Sequence, residues 1–144
     1  MIHCDGTPIA MPRNTDEPFA LHGAGWNNVW TVDHSGPDRC VSSLPEPAGY
    51  LFAFRAEQQI DLQGNSVTVM LSLTNTSDSP IPAGLGVHPY FPRDPRTQLQ
   101  LQSDWFWLEG PGYKPTDPIR VPPELDFTKA REVPAKWRAN CYTG

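Results

Sequence analysis

Across residues 50–57, Tyr50, Phe52, Phe54 and Ala56 alternate with Leu51, Ala53, Arg55 and Glu57. A period of two marks a half-buried strand, because successive strand side chains point to opposite faces; the strand is read over residues 50–62. The run Leu62-Gln63-Gly64-Asn65-Ser66 follows, and its Gly-Asn pair suits the positive φ values of a tight hairpin. A return strand is expected over residues 66–75. There Val67, Val69, Leu71 and Leu73 share one face and Thr68, Met70, Ser72 and Thr74 the other, with β-formers abundant.

Thr76-Ser77-Asp78-Ser79-Pro80 reads as a turn cluster, and residues 81–91 as an extended segment broken by Pro82, Pro89 and two glycines. Residues 97–102 alternate Leu99 and Leu101 with glutamines, and residues 105–108 form a short aromatic strand. Residues 109–123, rich in proline and glycine, read as a loop, and a loop of that length usually either serves a function or hides an unassigned element. Near the front, Trp26, Val29, Trp30 and Val32 suggest a loop entering a strand. No segment carries helical spacing and no repeat is visible. The expected fold class is mostly β, a sandwich or a barrel.

Composition sharpens this picture. A chain of 144 residues is one domain in size and can bury roughly 70% of its unfolded surface. Its 17 prolines and 11 glycines are too many for a helical protein and suit short strands joined by turns. Sixteen acids against eleven bases leave a formal charge of -5, with no basic run to neutralise phosphates, so nucleic acid is not an expected partner. The first eleven residues include Asp5 and Pro8 and no long apolar run, so no signal or membrane span is expected there, and the default setting is soluble and cytoplasmic. Cys4, Cys40 and Cys141 lack the paired spacing of a zinc site or disulfide framework and read as reduced thiols.

The chemistry then rests on the histidines. His3 and His34 lie among polar residues and read as solvated imidazoles. His22, in Leu21-His22-Gly23-Ala24-Gly25-Trp26, and His88, in Gly84-Leu85-Gly86-Val87-His88-Pro89-Tyr90-Phe91, stand beside glycines that permit close backbone approach and aromatics able to stack on a ligand. Each, taken alone, is more often a hydrogen-bonded core histidine than a catalyst. Two histidines 66 positions apart with no third ligand make no metal motif.

The run from Leu73 through Asn75, Pro80 and Pro82 to Gly86-Val87-His88-Pro89-Tyr90-Phe91 resembles the signature of the aldose 1-epimerase (galactose mutarotase) family. Leu21-His22-Gly23, with Trp30 a few residues on, is similar to the Leu-His-Gly motif of the same family. The resemblance implies an antiparallel β-sandwich of the galactose mutarotase-like supersandwich type, with residues 1–144 forming a single partial domain incomplete at both ends. It implies that His88 is the general acid that protonates the ring oxygen of a bound pyranose, and that His22 lies against the same oxygen. Asn75 at its strand end would contact the sugar. Trp26, Trp30 and Tyr90 are candidates for the apolar platform beneath the sugar face, with plain core packing as the equal alternative. An imidazole titrates near neutral pH and so can deliver and recover a proton within one turnover. No cofactor is implied.

The family's general base is a glutamate on a later strand, and no residue here corresponds to it; at the place of a sugar-binding aspartate stands Ala139. The implied partner is a hexose or hexose phosphate. A carbohydrate-binding β-sandwich without turnover, or an inactive fragment, is the alternative function. Exposed strand edges in a shortened sandwich would invite a homo-oligomer.

Overall fold

The computed structural model describes residues 2–17, 20–135 and 140–144. Ala139 lies outside them. Among the described residues there is no α-helix, only strands and two 3-10 turns, at Pro111–Tyr113 and Pro123–Leu125. Every ladder is antiparallel. The chain separates into two compact units, Met1–His88 and Pro89–Gly144.

The first unit opens with a hairpin of β1 (Ile2–Cys4) and β2 (Thr7–Ile9). Its turn is Asp5-Gly6, both at positive φ (49° and 76°), the backbone that an Asp-Gly pair favours. The main sheet has the order β3-β4-β5-β6, from β3 (Thr31–Ser35), β4 (Arg39–Leu44), β5 (Phe54–Gln63) and β6 (Ser66–Asn75). β5 and β6 pair without a break from Phe54↔Asn75 to Gln63↔Ser66, so the hairpin legible in the alternation is present. Two details differ from expectation. The strand starts at Phe54 rather than Tyr50, and of the turn pair only Gly64 takes a positive φ, 58°. Gly64→Val places a β-branched side chain in that left-handed backbone and is expected to lower stability by about 1–2 kcal/mol, read as a shift of the urea midpoint.

Register explains which end of the sheet is covered. Leu44, Ala56 and Leu73 fall in one cross-strand row, and Cys40, Ile60 and Val69 in another on the same face. Among the described residues one end is sealed: Ala24, Leu44 and Phe54 are buried, with Trp30, Tyr50, Ala56, Leu73 and Ile81 packed around them. Loops before β3 and between β4 and β5 supply Ala24, Trp30 and Tyr50 to that seal. Toward the hairpin tip the same face is open, with Leu62, Val67 and Val69 exposed. Burial raises the pKa of the Tyr50 phenol, whose ring meets Phe54 edge to face at 5.8 Å.

In the second unit β8 (Trp105–Glu109) lies between β11 (Tyr142–Thr143) and β9 (Pro115–Arg120). β9 corrects the reading of residues 109–123 as loop throughout. Its Pro115 and Pro118 are tolerated because β9 is an edge strand, where a missing N–H leaves no ladder bond unmade. The strand expected over residues 97–102 shrinks to β7 (Gln98–Leu99), paired with β10 (Arg131–Glu132). Phe106, Leu125 and Phe127 are buried here. Tyr142 packs edge-on against Phe106 and Phe127, and its hydroxyl donates to the Leu125 carbonyl. Residues 81–91, expected as an extended segment, form no strand and join no ladder. Cys4, Cys40 and Cys141 are free, and no helix among the described residues is long and apolar enough to cross a membrane, which does not bear on β-barrels.

Candidate functional site

His22 and His88 belong to the first unit and meet. Their ring centroids are 5.5 Å apart at 74°, edge to face. Trp26 also packs edge to face with His22, its ring 5.8 Å away at 84°. Both imidazoles and the Trp26 ring are exposed, so the group faces solvent rather than the core. That exposure sets aside the reading of these histidines as core residues.

Each ring is delivered by a different device. His88 ends the irregular run from Pro80, in which a Cβ added at Gly84 or Gly86 would meet nothing within 4 Å. Packing therefore does not require either glycine, and the backbone stays open to solvent. His22 sits in a left-handed turn, φ 54°, followed by Gly23 at φ 65°. Glycine adopts that backbone freely, whereas a histidine there carries a strain of order 1–3 kcal/mol and persists only where its surroundings impose it.

The surroundings that impose it are polar side chains on the flanking loop. Asn14, half-buried, accepts from the Leu21 N–H at 2.8 Å and donates to the Leu21 and Gly23 carbonyls at 2.7 and 3.1 Å. Asn28 donates to the Ala24 carbonyl at 2.9 Å. The Trp30 indole N–H donates to the Gly25 carbonyl at 2.7 Å while its ring packs on the core. Trp30 thus takes the packing role among the two left open for it, and its one polar atom is engaged by the loop. A pocket of about 120 Å³ adjoins this loop, lined by Arg13, Asn14, Gly23, Asn28 and Tyr50 among others and by neither imidazole.

Asn75 has its polar atoms engaged locally. Its Oδ1 accepts from the Ser77 N–H and hydroxyl, and its Nδ2 donates to the Ser79 carbonyl, closing the turn that leads toward His88. Both polar atoms of its amide thus take part in shaping this turn. Tyr90 is exposed in the second unit. Asn14 and Tyr50 carry no local sequence signal for these roles, because each acts on residues that the folded chain brings near, whereas Asn28 bonds to a carbonyl four residues before it.

The profile of the family described as aldose 1-epimerase matches residues 2–144, and the chain belongs to that family. It is 35% identical over 126 residues to the uncharacterized protein YphB of Escherichia coli (strain K12), covering 86% of this chain and 43% of that protein. A crystal structure from Escherichia coli K12, of a protein provisionally described as an aldose 1-epimerase, superposes with a TM-score of 0.80 at 31% identity, covering 86% of this chain and 43% of that one. The chain spans less than half the length of either.

Proposed function

We propose that this chain carries the acid side of a sugar mutarotation site, with a hexose or hexose phosphate as substrate. The observation that carries the reading is the 5.5 Å approach of His22 and His88 on an exposed surface of a chain in the aldose 1-epimerase family. In the proposed step the His88 imidazolium protonates the pyranose ring oxygen while a base takes the proton of the anomeric hydroxyl. The C1–O5 bond breaks to leave the open-chain aldehyde, C1 turns about the C1–C2 bond, and the hydroxyl closes on the other face as the protons return. His22 holds and polarises the ring oxygen. Atoms balance within this cycle without a cofactor. Trp26, beside His22, is the exposed aromatic surface available to a sugar face. The base is not assigned to any residue of the chain.

Polarimetry of freshly dissolved α-glucose, α-galactose and their 6-phosphates tests the proposal. Equilibration faster than in buffer supports it. A calorimetric binding signal without acceleration selects a carbohydrate-binding module instead, and neither signal overturns both. The proposal extends to a cytoplasmic setting and to a homo-oligomer. Among the described residues β3 and β6 end the main sheet with one side unpaired, and a strictly monomeric species in light scattering would count against association.

A further inference from the structure

We infer that Asn14 is a positioning residue that holds the His22 imidazole toward His88. The inference rests on the proposed role of His22 and adds to it a residue whose side chain bonds to the backbone on either side of His22. His22 is the residue between the two that Asn14 grips: the amide side chain accepts from the Leu21 N–H and donates to the carbonyls of Leu21 and Gly23. Both donor hydrogens and the acceptor oxygen of one planar group are engaged across a three-residue span. A planar amide fixes the spacing and direction of those backbone groups together, which a single hydrogen bond does not. The backbone so fixed is left-handed at His22 (φ 54°) and Gly23 (φ 65°). That geometry sets the direction of the His22 side chain, whose ring then lies 5.8 Å from Trp26 and 5.5 Å from His88. The neighbouring grips, Asn28 on Ala24 and Trp30 on Gly25, hold only the following turn, each by one bond. The segment that carries Asn14 is itself irregular, so its polar contact with the 21–23 turn is a tether between two loops.

The test uses the whole chain and has one arm independent of catalysis. In Asn14→Ala, nuclear Overhauser contacts between the His22 and His88 rings are expected to vanish, with amide shifts concentrated at residues 21–24 and the β5–β6 resonances unmoved. Asn28→Ala keeps the ring contacts. Asn14→Asp, which retains the acceptor for Leu21 but loses both donors, is expected to weaken them. A double-mutant comparison reads the same link through stability: Asn14→Ala is expected to shift the urea midpoint less in a His22→Gly background, because glycine adopts the left-handed backbone unaided. Ring contacts that persist in Asn14→Ala, or equal shifts in the two backgrounds, overturn the inference. Should Asn14→Ala fail to fold, Asn14→Asp carries the same comparisons. Where the wild-type chain accelerates mutarotation, Asn14→Ala is expected to lower kcat about 100-fold with KM little changed. Absence of wild-type acceleration counts against the proposed function alone, since the ring contacts and midpoints still decide the role of Asn14.

Discussion

Phe54→Ala is expected to lower the unfolding free energy by about 3 kcal/mol, the lower end of the range for a buried phenylalanine. Phe54 is 7% exposed and stands at the start of β5, where it joins Ala24 and Leu44 beneath Trp30 and Tyr50. Truncation leaves a void bounded by the Tyr50 ring and the aliphatic rows of the sheet. The estimate sits low because few layers surround this cluster, so neighbours can partly collapse into the space. Urea denaturation followed by tryptophan fluorescence measures the loss, and Leu62→Ala, at the open hairpin tip, provides the contrast. Leu62 is 50% exposed, and its truncation is expected to change stability by under about 1 kcal/mol. Equal losses at the two positions would contradict the placement of the core at one end of the sheet.

His88→Asn is expected to lower any mutarotation rate by about 10²- to 10⁴-fold, the usual contribution of one positioned acid or base. Stability should hold within about 0.5 kcal/mol, because the side chain is exposed. His34→Asn, on exposed β3, serves as the control and leaves the rate unchanged. Stopped polarimetric traces at fixed sugar concentration give the comparison. A His88→Asn rate equal to that of the parent chain would remove His88 from the acid role.

What the sequence revealed follows from how local each signal is. The β5–β6 hairpin was legible because alternation and a glycine turn lie within a single stretch of chain, and the register confirms it pair by pair. Asp5-Gly6 is an equally local signal for β1–β2, but strands of three residues are too short for alternation to show beside it. β4 is harder to see, since Ser42 and Ser43 occupy both faces and blur the contrast. Pro115 and Pro118 argued for a loop where an edge strand stands, because proline excludes a central strand and not an edge one. The meeting of His22 and His88 was accessible through resemblance alone, as spacing is silent about two residues on different loops. The grip of Asn14 on the turn at residues 21–23 had no signal at all, since any asparagine in a loop looks the same until the chain returns to it. Asn75 shows the converse: motif membership suggested a ligand contact, while its amide closes a turn.

The scarcity of buried side chains has a thermal counterpart. Among the described residues the buried hydrophobic set comprises Ala24, Leu44, Phe54, Phe106, Leu125 and Phe127. Unfolding of the described residues is then expected to hydrate little new apolar surface, with a heat-capacity increment below the customary value of about 12–15 cal/mol/K per residue. The free-energy curve of such a chain is shallow, so warming and chilling across tens of degrees alter its folded fraction gradually, and calorimetric traces should show a broad, low endotherm.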